Sequence, residues 1–302
     1  SVEVIGEQVF QECASLKSVT IENGVKTIGK KAFKKSGLTN ITIPKSVETI
    51  ENETFVECES LTSVTIANGV KNIGEKSFEG TALTELRIPA SVEVIGVKTF
   101  QNCKSLANVT IDSGVKEIGE KAFNGTAIKE IKIPASVTSI GKDILPKNTV
   151  WDVEVGTYAY NYALENKLQI KPSDAVIKDK AARLLSDKGI AAAPSDKWEK
   201  GTFTKDDVTR KWDFSAYLSG DGKYTIKFKY TGGANKLTLS DAIFTADGKP
   251  IAYFQESRSA GSNPKEIVYE IEVPKGTKKL LLYANAKAGG GDNSNGKIEV
   301  VK

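Results

Sequence analysis

The residues that could do chemistry are few, and their spacing is regular. Cys13, Cys58 and Cys103 stand 45 positions apart. A thiol can serve as nucleophile, metal ligand or half of a disulfide. The 302 residues contain no histidine, which removes Ser-His-Asp and Cys-His nucleophile systems and every His-containing zinc site. The cysteine spacing fits no zinc motif. Thiols two strands apart in a stack lie about 10 Å from one another at about 4.8 Å per strand, beyond the roughly 7 Å between Cα atoms that a disulfide spans. Three separate reduced thiols, small buried side chains in the turn before a strand, are expected, with no metal and no cofactor. Ser262-Asn263-Pro264-Lys265 has the Ser-x-x-Lys spacing but lies in a predicted loop with no acid/base companion. A carboxylate pair for glycoside hydrolysis needs only Asp and Glu, yet the glutamates fall on exposed repeat positions and no cleft is predicted. No catalytic residue is assigned.

A second set has the composition of a sugar site, aromatic faces beside planar polar groups. Tyr217 and Tyr283 fall off-phase from the apolar rows of their strands, and Trp198 and Tyr253 lie near strand edges. Asn285 and the loop Asp292-Asn293-Ser294-Asn295 supply amides and a carboxylate. Trp198, Tyr217, Tyr253, Tyr283, Asn285, Asp292, Asn293 and Asn295 are therefore candidate carbohydrate contacts. The competing role for the aromatics is packing between sheet layers. An EF-hand is excluded because Gly296 is fifth in its loop and the chain ends before a twelfth position. A looser structural calcium site stays open.

These groups must be positioned by a repeat. Phe10, Phe33, Phe55, Phe78, Phe100 and Phe123 recur at intervals of 23, 22, 23, 22 and 23. Ile-Gly recurs at 28, 73, 95, 118 and 140, with Ile50-Glu51 the one lapse. Leu16, Leu38, Leu61, Leu83, Leu106 and Ile128 each open a stretch of the form x-x-apolar-x-Ile. Pro44, Pro89 and Pro134 are 45 apart, so the unit is a pair of unequal repeats. The Leu-x-x-Val-x-Ile stretch reads as a short strand, and Val-x-x-Ile-Gly as a second extended piece closed by a turn. One such unit cannot bury its own apolar residues, whereas six stacked copies share one core. The outward strand positions are polar and rich in Thr. Thr42, Thr65, Arg87, Thr110 and Lys132 mark a candidate protein-binding face, although only Arg87 is of a type favoured at binding hot spots. A plain solvated face is the competing reading.

The rhythm breaks at Leu145-Pro146. Val150 to Val153 reads as a last strand and Gly156 to Leu164 as a helix that caps the stack. Residues 172–194 read as a linker or junction with a short amphipathic helix from Asp174 to Ser186, most simply a packed one, ended by Ala191-Ala192-Ala193-Pro194. From 195 to 302 the period changes to two. Trp212, Phe214, Ala216 and Leu218 form one inward row, Tyr224, Ile226, Phe228 and Tyr230 another, and Ile267, Tyr269, Ile271 and Val273 a third. Turn signals such as Asp221-Gly222 and Asp247-Gly248 separate them, so an antiparallel β-sandwich is predicted. The fold class is mainly β: a solenoid with its cap over 1–171, then the sandwich. Lys+Arg exceeds Asp+Glu by 42 − 38 = 4, and only four of the basic residues are Arg, which argues against a nucleic-acid partner. No run approaches about 18 apolar residues, so no transmembrane helix is predicted.

The recurring F-x-x-C-x-S-L-x-x-V-x-I-P-x-S-V-x-x-I-G pattern of residues 1–153 resembles the BspA-type leucine-rich repeat of bacterial surface proteins. The resemblance implies an elongated solenoid exported to the cell surface, with roles in adhesion and in binding proteins or glycans of a host or neighbouring cell. It also implies that further repeats or a cap precede Ser1. Residues 222–233 and 292–298 resemble the jelly-roll accessory domains of gut-bacterial glycan-processing proteins. Those domains often carry a His-containing acidic segment where this chain has Tyr253-Phe254-Gln255-Glu256-Ser257-Arg258. The two readings that follow are a non-enzymatic adhesion protein with the sandwich as glycan-binding module, and a structural spacer with no ligand of its own.

Overall fold

The structure is a computed structural model. It describes residues 2–186, 190–193, 196–199, 202–203, 208–233, 236–261, 264–288 and 294–302. The chain forms two compact units, Ser1–Lys171 and Pro172–Lys302.

The first unit is a parallel β-solenoid. Its strands are β1 (Val4–Ile5), β2 (Thr27–Ile28), β3 (Asn40–Ile43), β4 (Thr49–Ile50), β5 (Ser63–Ile66), β6 (Asn72–Ile73) and β7 (Glu85–Ile88). They continue with β8 (Val94–Ile95), β9 (Asn108–Ile111), β10 (Glu117–Ile118), β11 (Glu130–Lys132), β12 (Ser139–Ile140) and β13 (Val150–Asp152). The two-residue strands form one unbroken seven-stranded sheet in the order β1-β2-β4-β6-β8-β10-β12. The Ile-Gly glycines are needed there because successive rungs touch: a Cβ on Gly119 would lie 2.6 Å from backbone atoms of Gly96 and Val97. Inside, the six phenylalanines stack with ring centroids 5.1–5.3 Å apart and interplanar angles of 4–15°. Each such aromatic pair adds roughly 0.5–1.5 kcal/mol beyond simple burial. Beside the rings the backbone bonds at every step, for example Phe33 N–H to the Thr54 carbonyl at 2.9 Å and Phe55 N–H to the Ser77 carbonyl at 2.7 Å.

The longer strands behave differently. They pair only two by two, as β3-β5, β7-β9 and β11-β13. Within pairs, Ala67 N–H donates to the Ile43 carbonyl (3.1 Å) and Asp112 N–H to the Ile88 carbonyl (3.0 Å). Pro44, Pro89 and Pro134 occupy that same position in the alternate repeats, where no N–H exists to close the rung. The ladder is interrupted there, leaving seams between β5 and β7 and between β9 and β11. Side-chain cover thins with it: Ile43 and Ile88 are 0% exposed, Ile66 and Ile111 7%.

Helix α1 (Tyr158–Glu165) closes the stack. Thr157 caps it by accepting from Tyr160 N–H. Tyr162 stacks near Trp151 and donates to the Gly141 carbonyl at 2.9 Å.

The second unit opens with α2 (Asp174–Ser186), followed by β14 (Ala191–Ala192), β15 (Lys197–Trp198), β16 (Val208–Asp213), β17 (Gly222–Gly233) and β18 (Leu237–Ala246). Then come β19 (Lys249–Phe254), β20 (Arg258–Ala260), β21 (Glu266–Val273), β22 (Leu280–Ala288) and β23 (Ser294–Val301). One sheet runs β14-β16-β22-β18-β19, with β20 also on β18; the other runs β15-β23-β17-β21. All pairings are antiparallel except β14 with β16. Trp198, Trp212, Phe228, Phe244, Tyr269 and Leu282 belong to the core that the two sheets share.

Two local expectations are corrected. The row through Trp212 does not run on to Leu218: the strand ends at Asp213, whose carboxylate accepts from Ser215 N–H at 2.9 Å and starts a 3-10 turn, Ser215–Tyr217. Ala191 and Ala192 do not merely end a helix but form β14 on the edge of β16; Pro194 lies outside the described residues. Helix α2 belongs to the second unit. It packs on β18 and β19, buries Val176 and Ala181, and is tied down by Lys180, whose ammonium lies 3.2 Å from Asp241 Oδ1 and donates to the Tyr253 hydroxyl. Among the described residues no helix is long and apolar enough to cross a membrane.

Candidate functional site: a groove on the strand face

The exposed side chains of the longer strands alternate with buried ones, as the pattern exposed-buried-exposed-buried in β3, β5 and β7 requires. Register then fixes two rows. Thr42 faces Thr65 and Arg87 faces Thr110, while Asn40 faces Ser63 and Glu85 faces Asn108. The surface is not flat. Across the β5/β7 seam lies a groove of about 620 Å³, lined by residues of β5, β7, β9 and the turns that follow them. Thr65, Arg87 and Thr110 line it; Thr42 and Lys132 are exposed on neighbouring rungs outside it.

Arg87 dominates the groove. Its side chain is 75% exposed, and its Nε donates to Asp112 Oδ2 at 3.1 Å, a carboxylate one rung away and only 22% exposed. That bond uses Nε and leaves the two terminal amino groups without a hydrogen bond among the described residues. Asp112 and Asn68, also in the lining, were missed by strand periodicity because they lie beyond the ends of β9 and β5. Asp112 carried one available signal: it occupies the rung position where the alternate repeats have Pro89 and Pro134.

The described members of the aromatic and amide set do not form a single cluster: Tyr283 and Asn285 share the outer face of β22, with Tyr253 on the same face two strands away across Ile243, while Trp198 and Asn295 belong to the other sheet. Trp198 is buried in the sandwich core, its Nε1 donating to Ser294 Oγ at 3.1 Å. Its ring lies on Gly296, where an added Cβ would come within 2.1 Å of it, so Gly296 is the floor under a core indole within β23 and not a loop residue. Tyr283 is buried on β22, and burial pushes its hydroxyl pKa up. Asn285, also on β22, accepts from the Thr209 hydroxyl at 2.7 Å. Tyr253 is half-buried, its hydroxyl donating to Asp241 Oδ1 at 2.9 Å within the α2 contact. Asn295 is half-buried in β23. Tyr217 is 39% exposed in the 3-10 turn. Asp292 and Asn293 lie outside the described residues, as do Ser262 and Asn263.

The cysteines are unbridged. Cys58 donates to the Phe33 carbonyl at 2.9 Å and Cys103 to the Phe78 carbonyl at 3.1 Å. Burial raises both thiol pKa values, so neither is a ready thiolate. Cys13 departs from the expected burial and is exposed.

Six copies of the BspA-type leucine-rich repeat region match residues 1–107 and 26–150. Among solved structures, the chain is similar to a leucine-rich repeat protein from Bacteroides ovatus, at 29% identity and a TM-score of 0.49, over 56% of this chain and 43% of that one. It is similar to a leucine rich cell surface protein from Faecalibacterium prausnitzii, at 30% identity and a TM-score of 0.34, over 45% of each chain. The pneumococcal vaccine antigen PcpA matches at 23% identity and a TM-score of 0.38, over 52% of this chain and 37% of that one. The chain thus spans less than half the length of each of these three. No curated protein matches it. The six matched copies coincide with the rungs of the first unit, and residues 1–150 belong to the BspA-type leucine-rich repeat family.

Proposed function

We propose that this chain is a non-enzymatic binding protein of the bacterial cell surface, and that it engages proteins of a host or neighbouring cell through the strand face of its solenoid. The observation that carries the reading is the groove at the β5/β7 seam, where an exposed, oriented Arg87 sits among uncommitted hydroxyls and amides. Arginine held in this way is an economical recognition group, because little rotamer freedom is left to lose on binding. The family supports a binding scaffold at the surface, and the F. prausnitzii protein is itself described as a cell surface protein. A glycan-binding role for the sandwich has less support, since Trp198 and Tyr283 are buried and the Tyr253 hydroxyl is engaged by Lys180 and Asp241.

The test is biolayer interferometry of the full chain against purified extracellular-matrix proteins, with a glycan array in parallel. A Thr65→Arg/Thr110→Arg variant fills the groove while touching only exposed positions. The expected result is saturable binding to a matrix protein that the variant weakens about tenfold or more, near 1.4 kcal/mol. Protein binding untouched by the variant, or array binding lost in Tyr217→Ala, would overturn it in favour of another surface.

A further inference from the structure

We infer that the groove takes an extended peptide segment carrying one basic and one acidic residue two positions apart. The inference rests on the protein-binding reading above and names the chemistry of the partner.

Glu85 and Arg87 project from the same exposed face of β7 with one buried residue between them. At about 3.3 Å per residue their Cα atoms are about 6.6 Å apart, the repeat of same-side residues in any extended chain. A strand laid over β7 therefore meets both charges in register. Arg87 offers its terminal amino groups as a fork suited to a carboxylate, because Asp112 occupies only Nε. Glu85 is exposed and makes no ion pair among the described residues. A purely acidic ligand would gain Arg87 but meet Glu85 and Asp112. A purely basic one would gain Glu85 and meet Arg87. Only a ligand of both signs is complemented throughout. The groove presents no aromatic ring on which a sugar could stack. At its seam edge, Pro89 leaves the Ile66 carbonyl without the rung donor that Ile43 and Ile88 receive, so the groove lies where the ladder is open.

The experiment is fluorescence anisotropy of the full chain at low salt with short fluorescein-labelled Gly/Ser peptides. Their centres are Lys-Ser-Asp, its reverse Asp-Ser-Lys, Asp-Ser-Asp or Lys-Ser-Lys. One of the mixed-charge peptides is expected to bind about fivefold more tightly than either like-charge peptide. Glu85→Lys should switch the preference to Asp-Ser-Asp, and Arg87→Glu to Lys-Ser-Lys, with circular dichroism unchanged since both positions are exposed. Equal binding of all four peptides, an unchanged ranking in the variants, or no saturable binding would each overturn the inference. If the peptides fail while Thr65→Arg/Thr110→Arg still abolishes binding to a matrix protein, the face stands and the charge code falls. If neither responds, both fall.

Discussion

Phe55 lies at the middle of the aromatic stack, fully buried, with Phe33 at 5.3 Å on one side and Phe78 at 5.1 Å on the other. Phe55→Ala removes a ring that both neighbours touch and that rung-to-rung backbone bonds prevent from being replaced by collapse. Large-to-small truncations of buried Phe cost about 3–5 kcal/mol. The two lost stacking contacts place this site near the upper half of that range, about 4 kcal/mol. With a urea slope of about 2.5 kcal/mol per molar, the unfolding midpoint of the solenoid should fall by about 1.6 M. Hydrogen exchange followed by mass spectrometry reads the two units separately. Peptides from the rungs around Phe55 should lose protection first, because each repeat is stabilised mainly by its neighbours, and peptides from residues 208–302 should not change. Phe10→Ala is the internal control: Phe10 is half-buried and has one stacking partner, so its cost should be less than half as large. A midpoint shift under about 0.5 M for Phe55→Ala, or equal shifts for the two variants, would refute the idea that the stack carries the solenoid.

Three further outcomes are expected. With native protein at pH 8, a thiol reagent should label Cys13 rapidly and reach Cys58 and Cys103 only after denaturant is added, since burial raises the pKa of those two; fast labelling of all three would contradict the packing. Gly296→Ala drives a methyl into the Trp198 ring and the Lys229 carbonyl, so calorimetry should show the sandwich transition destabilised by at least about 1–3 kcal/mol, and an unchanged transition would mean that Trp198 is not seated there. Glu299 accepts from both Lys229 and Lys297, which holds its pKa at about 2. A folded-state pKa below the unfolded one stabilises at neutral pH, and that contribution is lost as pH falls from about 5 toward 2. Glu299→Gln should therefore flatten the acid limb of the stability curve, and an identical acid limb would count against the pair.

The solenoid was legible because each rung repeats one pattern of burial: Phe, Leu, Val and Ile return at fixed intervals and each meets its own kind on the next rung. Strands β17 and β21 were legible for a related reason, since one face is buried and the other solvated. Strand β18 was not. From Leu237 to Ala246 nearly every position is buried, because the sandwich core takes one face while α2 packs on the strand from outside it, and a period of two disappears when both faces are covered. Trp198 was left between two roles for a tertiary reason: a two-residue strand gives no phase, and the contact with Gly296 shows that the indole points inward. Of the groove, Thr65, Arg87 and Thr110 followed from strand alternation. Asp112, which bonds Arg87, did not, because it lies one residue beyond the end of β9, past the stretch in which alternation was read. The prolines were visible at intervals of 45, but their effect depends on which carbonyl of the rung below awaits a donor.

The interrupted ladder makes the solenoid mechanically uneven. Two of its walls, the seven-stranded sheet and the phenylalanine turns, are hydrogen-bonded at every rung. The wall of longer strands is slit at each proline repeat. Under tension along the axis, the slit wall has fewer bonds to resist opening, so strain gathers at the seams and the unit flexes with that wall on the outer side of the bend. A peptide seated across β5 and β7 would act as a splint on one slit, and a ligand held there would stiffen the rod at the place where the pull is otherwise most easily accommodated.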